Sequence, residues 1–140
     1  MTTSNVKVMI QCDIHKVWET VLAVERYHTW RSDVSKTEVT GEKQFIEYAS
    51  NGYATTFTIT KSEPQSRWEL DVDNSHTKGH WTFVFVSKGS ETQIDFTACV
   101  TAKQLSMRPV GKSVFEQTYL KKAQTQFAAD LKKLLMSDCK

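Results

Sequence analysis

The sequence predicts an α+β fold in which an antiparallel β-sheet is covered by one long C-terminal helix. Three segments alternate apolar and polar residues, and side chains along a strand point to opposite faces in turn, so each segment has one apolar face. The apolar sets are Trp68, Leu70 and Val72; Trp81, Phe83 and Phe85; and Ile94, Phe96, Ala98 and Val100. Residues 107–136 then carry apolar side chains at helical spacing, which makes this helix the natural cover for the sheet.

The N-terminal quarter of the chain predicts one strand followed by two short helices. Residues 5–11 alternate, and Asp13 comes next as an N-cap whose carboxylate can accept hydrogen bonds from the first helical turn. Residues 14–22 have the spacing of an amphipathic helix, and residues 25–30 indicate a further short helical turn or an irregular corner. From about Val34 to Val100 helical periodicity is absent, so the sheet is expected there.

Asn51-Gly52 sets the predicted register of the first hairpin in this region. This dipeptide is typical of a two-residue type I′ turn, which would pair Ile46 with Phe57. Directly opposed residues share a face of the sheet, so Ile46, Tyr48 and Phe57 are predicted on the inner, apolar face.

Two later loops give registers that agree on the same inner face. A four-residue loop at 74–77 pairs Leu70 with Trp81, and another at 88–91 again brings aromatic residues together. Agreement between independent turn signals favours an antiparallel meander.

Composition and charge narrow the class of function. The 140 residues are most naturally one domain, spanning 1–140, with 39% hydrophobic and 24% charged residues. A net charge of +2 is too small to indicate nucleic acid or an anionic membrane as partner. An integral membrane segment is not expected, because apolar stretches are too short to span a bilayer, and there is no signal pattern at the N-terminus.

The cysteines point to a reducing compartment. Cys12, Cys99 and Cys139 are odd in number and far apart, which predicts neither a disulfide framework nor a zinc motif. A cytoplasmic location is therefore expected, and the oligomeric state stays open.

The chain lacks the motifs of standard catalytic machinery. It has no glycine-rich phosphate loop, no serine nucleophile elbow and no zinc-ligand spacing, so we expect no cofactor, no metal and no catalytic residue. A polar turn explains His76 and His80 better than a metal site does.

The predicted inner face contains no carboxylate, histidine, lysine or arginine. Its residues are Ile46, Tyr48, Ser50, Tyr53, Thr55, Phe57, Ile59, Trp68, Leu70, Val72, Trp81, Phe83, Phe85, Ile94, Phe96, Ala98 and Val100. Acid–base catalysis needs a group that titrates near the operating pH, and on this prediction the sheet supplies only tyrosines.

Ionised groups at a cavity would then have to come from the corner at residues 27–33 or from the start of the long helix. His28 and Arg31 could face a cavity mouth and bind a carboxylate or another polar ligand end, although solvated positions are favoured for both. Trp30 is expected to be buried, and Arg108 is the other possible gate charge.

The order of these elements resembles the START-like or helix-grip superfamily, also called SRPBCC, with its polyketide cyclase/dehydrase-like and lipid-transport branch. The segments that carry the likeness are DIHKVWETV, YHTWRSDV, GHWTFVF, KGSETQIDFT and QFAADLKKLL. The resemblance covers essentially the whole chain. It implies a curved sheet of six to seven strands that wraps around the long helix and encloses a cavity.

The resulting hypothesis is a domain that binds a small, mostly apolar molecule, such as a lipid, a polyketide or another aromatic compound, as a carrier or sensor. The predicted ligand-binding residues are Trp30, Tyr48, Tyr53, Phe57, Trp68, Leu70, Trp81, Phe83, Phe96, Met107, Phe115 and Tyr119. Two alternatives stay open from the resemblance: an enzyme similar to polyketide cyclases or dehydratases, and a protein-interaction module similar to activators of a chaperone ATPase. A filled core without a usable cavity is also open.

Overall fold

The computed structural model describes residues 2–103 and 112–138, with side chains in the last segment from 118 to 136. Its elements, in chain order, are β1 (Thr2–Ile10), α1 (Ile14–Leu22), a 3-10 helix (Val24–Thr29), β2 (Lys36–Gly41), β3 (Gln44–Tyr48), β4 (Ala54–Glu63), β5 (Arg67–Asp73), β6 (Thr77–Lys88), β7 (Glu91–Ala102) and α2 (Lys112–Asp138). The strands form one curved antiparallel sheet of seven strands in the order β1-β7-β6-β5-β4-β3-β2. This is the predicted helix-grip architecture.

Local hydrogen bonds explain the two short helices. The Asp13 carboxylate accepts from the backbone N–H groups of His15 and Lys16 at 3.1 and 3.2 Å, which confirms the predicted N-cap. The buried Tyr27 hydroxyl donates to the carbonyl of Val21 in the last turn of α1. That bond fixes the 3-10 helix against α1 and so positions the corner that follows.

The long helix covers the sheet as predicted. Within the described residues α2 runs from Lys112 to Asp138, whereas the predicted start near Pro109 lies outside the described residues. Leu131 and Leu135 of α2 are buried in the same core as the sheet residues. No helix in the described part of the chain is long and apolar enough to cross a membrane.

Phe127 of α2 is the centre of the contact between helix and sheet. Its ring centroid lies 5.5 Å from that of Phe83 and 5.8 Å from that of Phe96. Beside it, the Gln124 side-chain amide donates to the backbone carbonyls of Ser4 and Phe96 at 3.1 and 3.0 Å. Aromatic packing and two buried hydrogen bonds therefore hold α2 on β1, β6 and β7.

Two of the three predicted hairpin registers are confirmed. Leu70 pairs with Trp81 across β5 and β6, and the β6–β7 register also puts its aromatic residues together. The β6–β7 loop is shorter than predicted, because pairing continues to Lys88 opposite Glu91. The two-residue turn works because its first residue, Gly89, takes a φ of 69°.

The predicted register of the β3–β4 hairpin is wrong by one residue. Ala49 donates its backbone N–H to the Tyr53 carbonyl at 3.0 Å, which leaves a three-residue loop of 50–52. Gly52 alone has positive φ there (86°), as in a type I turn followed by a glycine bulge rather than the predicted type I′ turn. A shift of one residue moves every side chain of a strand to the opposite face.

The inner face of β3 is therefore Phe45 and Glu47 rather than Ile46 and Tyr48. Phe45 lies opposite Phe57, with a ring centroid distance of 5.1 Å, and both rings are buried. Glu47 is buried beside them. The prediction that the sheet offers no carboxylate to its inner face is thus wrong.

The cysteines also differ from the prediction. Among the described cysteines, Cys99 is free, whereas Cys12, which is buried after β1, is disulfide-bonded. The expectation of no disulfide is therefore wrong. The cysteines then no longer support the inference of a reducing compartment, on which the expected cytoplasmic location was based.

The outer face of the sheet carries a pH-dependent cluster around His80. One ring nitrogen bonds to Asp71 and the other to Glu69, both at 2.8 Å. Partial burial lowers the pKa of His80, but the bonds to both carboxylates raise it more, so it lies above the usual value of 6.5.

His80→Gln is expected to destabilise the protein more at pH 5.5 than at pH 8.5. Because the folded pKa of His80 is raised, its contribution is fully present below about 6.5 and is lost as the pH rises through the folded value. The effect should stay below about 1 kcal/mol, since more than a third of the side chain is exposed. Urea unfolding at both pH values measures it, with exposed His28→Gln as the control; equal losses at both pH values would contradict it.

Candidate functional site

A cavity of about 280 Å³ lies between the inner face of the sheet and α2. Its described lining residues are Arg31, Asp33, Val34, Glu47, Tyr48, Ala49, Tyr53, Thr55, Phe57, Val72, Asn74, Thr77, Trp81, Phe96, Ala98, Val100, Tyr119, Leu120, Ala123, Gln124 and Phe127. Two of the lining residues, Ala98 on β7 and Ala123 on α2, have small side chains that fill little of this space. The inner faces of β4 to β7 give it a mostly apolar wall.

The charged residues of this lining form one cluster. Arg31 Nη1 donates to Glu47 Oε2 at 2.8 Å, and Arg31 Nη2 donates to Asp33 Oδ2 at 2.9 Å. Arg31 Nε completes the set with a bond of 3.3 Å to Asp33 Oδ1. The guanidinium therefore binds one carboxylate through both oxygens and a second through one oxygen.

Aromatic rings of two different elements hold the Arg31 guanidinium. Its central carbon lies 5.0 Å from the ring centroid of Tyr27 and 5.0 Å from that of Phe127, within cation–π range. The next residue, Ser32, is tied to α2, because its N–H and hydroxyl both donate to Asp130 Oδ2 at 2.9 and 3.0 Å. The corner is thereby held against α2, and the Arg31 side chain is only 3% exposed.

Arg31 and Glu47 are both buried, but their protonation behaviour differs. Loss of hydration raises the pKa of the Glu47 carboxyl above its ordinary range, although Arg31 opposes that shift. For Arg31, burial lowers the pKa, but Glu47 and Asp33 raise it more, so the guanidinium remains charged. Glu47 is therefore the buried member of the pair that can change protonation state.

Sequence reasoning missed Glu47 because both faces of β3 carry apolar residues. Phe45 lies on one face of β3, and Ile46 and Tyr48 lie on the other. The alternation of apolar residues therefore does not show which face of the strand is the inner one. Arg31 was a possible gate residue and lines the cavity, but the solvated position that was favoured for it is wrong, because Arg31 is buried. A signal for the pair existed in principle, since a buried arginine requires a carboxylate partner.

Six of the predicted ligand-binding residues border the cavity: Tyr48, Tyr53, Phe57, Trp81, Phe96 and Tyr119. Tyr48 belongs to the outer set of β3 side chains, and its ring lies 4.8 Å from the Lys36 ammonium. Tyr53 stacks on His76, and its hydroxyl accepts a hydrogen bond from Ser75 at 3.2 Å. Tyr119 is exposed at the edge of the cavity. That these residues bind a ligand stays a prediction.

The other predicted site residues lie elsewhere. Trp68, Leu70 and Phe83 are buried in the packed core around a residual void of only about 10 Å³. Trp30 is partly buried and packs on Tyr27, with a centroid distance of 5.4 Å, rather than lining the cavity.

Of the possible gate residues, His28 is exposed and Arg108 lies outside the described residues. Of the predicted ligand-binding residues, Met107 also lies outside the described residues, as does the side chain of Phe115.

Solved structures with this fold span almost the whole chain at low sequence identity. A conserved protein from Geobacillus kaustophilus superposes with a TM-score of 0.81 at 13% identity, covering 98% of this chain and 96% of that one. A START superfamily protein from Mycobacterium smegmatis gives 0.74 at 14% identity, covering 96% and 99%. The di-domain ARO/CYC protein BexL of the BE-7585A biosynthetic pathway gives 0.75 at 11% identity, covering 95% of this chain and 46% of BexL.

Sequence comparison gives the family. A search of curated proteins found no match to this chain. By contrast, the profile of the family described as "Polyketide cyclase / dehydrase and lipid transport" matches residues 1–136. The chain therefore belongs to the polyketide cyclase/dehydrase and lipid transport family.

Proposed function

We propose that this protein binds a small, mostly apolar molecule in the cavity between the sheet and α2, as a carrier or sensor. This proposal is supported mainly by the 280 Å³ cavity, which has a mostly apolar wall and, among its described lining residues, one charged cluster. Ligand sites generally have this character, with a few placed polar groups on an apolar lining and volumes from about 300 Å³ upward. Burial of apolar ligand surface, worth roughly 25 cal/mol per Å², would supply most of the affinity.

The size of the cavity favours a compact occupant over a long-chain lipid. Its volume lies near the lower end of the range for ligand pockets. A bicyclic aromatic compound such as 2-naphthol is therefore a suitable probe.

Two alanine-to-leucine substitutions on α2 test this proposal. Ala123 lines the cavity, whereas Ala129 is exposed on the outer surface of the same helix. Ala123→Leu should weaken 2-naphthol binding by about tenfold or more, equivalent to about 1.4 kcal/mol, because the new side chain occupies the cavity. Ala129→Leu should leave the affinity unchanged. Isothermal titration calorimetry gives both values.

Native mass spectrometry of freshly purified protein extends the test to a ligand carried from the cell. We expect a one-to-one apolar adduct in the unmodified protein and in Ala129→Leu, and its loss in Ala123→Leu. An empty protein that also fails to bind 2-naphthol would overturn the proposal and favour the interaction-module hypothesis. Ala98→Leu, from the sheet side of the cavity, is the second variant if Ala123→Leu does not fold.

A cyclase or dehydratase activity is the second candidate function, and Glu47 is the observation that favours it. A carboxyl whose pKa is raised by burial, and which lines a substrate-sized cavity, is a candidate acid or base. The family description includes both catalysis and transport. Turnover of a bound molecule that is lost in Glu47→Gln while binding persists would place this candidate first.

A further inference from the structure

The charged cluster determines which kind of polar group the cavity can accept. Arg31 is the only cation among the described lining residues. Its Nε, Nη1 and Nη2 atoms already donate to Glu47 and Asp33. An anionic ligand would have to compete with two carboxylates for a guanidinium that they already hold.

The net charge of the cluster also disfavours an anionic ligand. With all three groups ionised, Arg31, Glu47 and Asp33 sum to one negative charge, and with Glu47 protonated they sum to zero. In neither state does the cluster carry the net positive charge that would stabilise a carboxylate or phosphate inside an apolar cavity. Moving an uncompensated anion out of water into such a site is costly.

Glu47 provides a hydrogen-bond acceptor for a neutral ligand. Its Oε2 accepts from Arg31, while its Oε1 accepts no hydrogen bond from any described residue. The side chain retains 11% of its exposure, and it lines the cavity. A ligand hydroxyl can donate to this oxygen, and the interaction is charge-assisted when Glu47 is ionised.

Resting on the proposed binding function, we propose that the ligand is an uncharged alcohol or phenol whose hydroxyl donates to Glu47, and that a carboxylate of the same shape is rejected. This differs from the less favoured alternative raised from the sequence, in which Arg31 binds a carboxylate or another polar ligand end.

Three probes of one shape test the proposal: naphthalene, 2-naphthol and 2-naphthoate. At pH 7.5 the protein should bind 2-naphthol about tenfold or more tightly than naphthalene, since a hydrogen bond to a charged group is stronger than one between neutral groups. It should bind 2-naphthoate at least about tenfold more weakly than 2-naphthol. Calorimetry or fluorescence titration measures the three affinities.

Glu47→Gln keeps the size of the side chain and removes its charge. The preference for 2-naphthol over 2-naphthoate should fall by about tenfold or more in this variant. Glu38→Gln is the matched control, because Glu38 is exposed on β2 and its replacement changes the net charge of the protein equally. If Glu47→Gln does not fold, Asp33→Asn should also improve 2-naphthoate binding.

The outcomes separate the inference from the function on which it rests. Binding of 2-naphthoate as tight as that of 2-naphthol would overturn the inference and leave the binding function standing. An unchanged preference in folded Glu47→Gln would also overturn it. Absence of binding for all three probes would overturn the function and the inference together.

Discussion

Arg31→Met is expected to lower the free energy of unfolding by about 3–5 kcal/mol at pH 7.5, the usual cost of breaking a buried ion pair from one side. The guanidinium is the hydrogen-bond partner of the buried Glu47 carboxylate among the described residues, and it also contacts the rings of Tyr27 and Phe127. Methionine can fill the space between the rings, but it leaves Glu47 without a compensating charge. Urea unfolding measures the loss.

The loss should be smaller at pH 4.5 than at pH 7.5. Burial raises the pKa of Glu47, and removal of Arg31 takes away the interaction that opposes this shift. Because the folded pKa then lies above the unfolded value of about 4.3, the penalty is absent below that value and grows as the pH rises toward the folded pKa.

Two further variants check this explanation. Arg26→Met changes an exposed arginine in the preceding 3-10 helix and should cost little. Arg31→Met combined with Glu47→Leu should recover most of the lost stability, because both buried charges are then absent. A loss in Arg31→Met no greater than that in Arg26→Met would contradict the buried pair.

Phe83→Ala is expected to cost about 3–5 kcal/mol, the range for removing a large aromatic side chain from a packed core. Phe83 is only 1% exposed, and its ring centroid lies 4.1 Å from that of Phe96 and 5.5 Å from that of Phe127. The ring therefore joins two neighbouring strands to α2. Denaturant unfolding gives the value.

Val86→Ala is the control for this change, since Val86 lies on the same strand but is exposed. Its cost should be about 0.5 kcal/mol or less. A comparable small loss for Phe83→Ala would mean that α2 does not close on the sheet at this point.

Most of the fold could be predicted because its signals repeat. The alternation in β5, β6 and β7 and the turns between them agree with one another, so an error in one loop length left the β6–β7 register unchanged. The long apolar stripe on α2 then required a partner surface. Each of these sequence patterns is local, and the pattern of the neighbouring strand or helix supports it.

The charged part of the site could not be predicted by the same means. Whether Glu47 faces inward depends on a single choice between two glycine-containing turns, and that choice is made by backbone geometry at Gly52. The burial of Arg31 depends on contacts with Phe127 and Glu47, which are distant in sequence. Local patterns do not report such contacts, and these two residues give the cavity its chemical character.

Nuclear Overhauser effects between bound 2-naphthol and the protein methyl groups test the central claim most directly, because they locate the ligand. The cavity predicts contacts from the aromatic protons to the methyl groups of Ala98, Ala123 and Val72, all of which line it. Contacts instead to Ala129 and Thr118, which border an open groove on the outer side of α2, would contradict the proposed site.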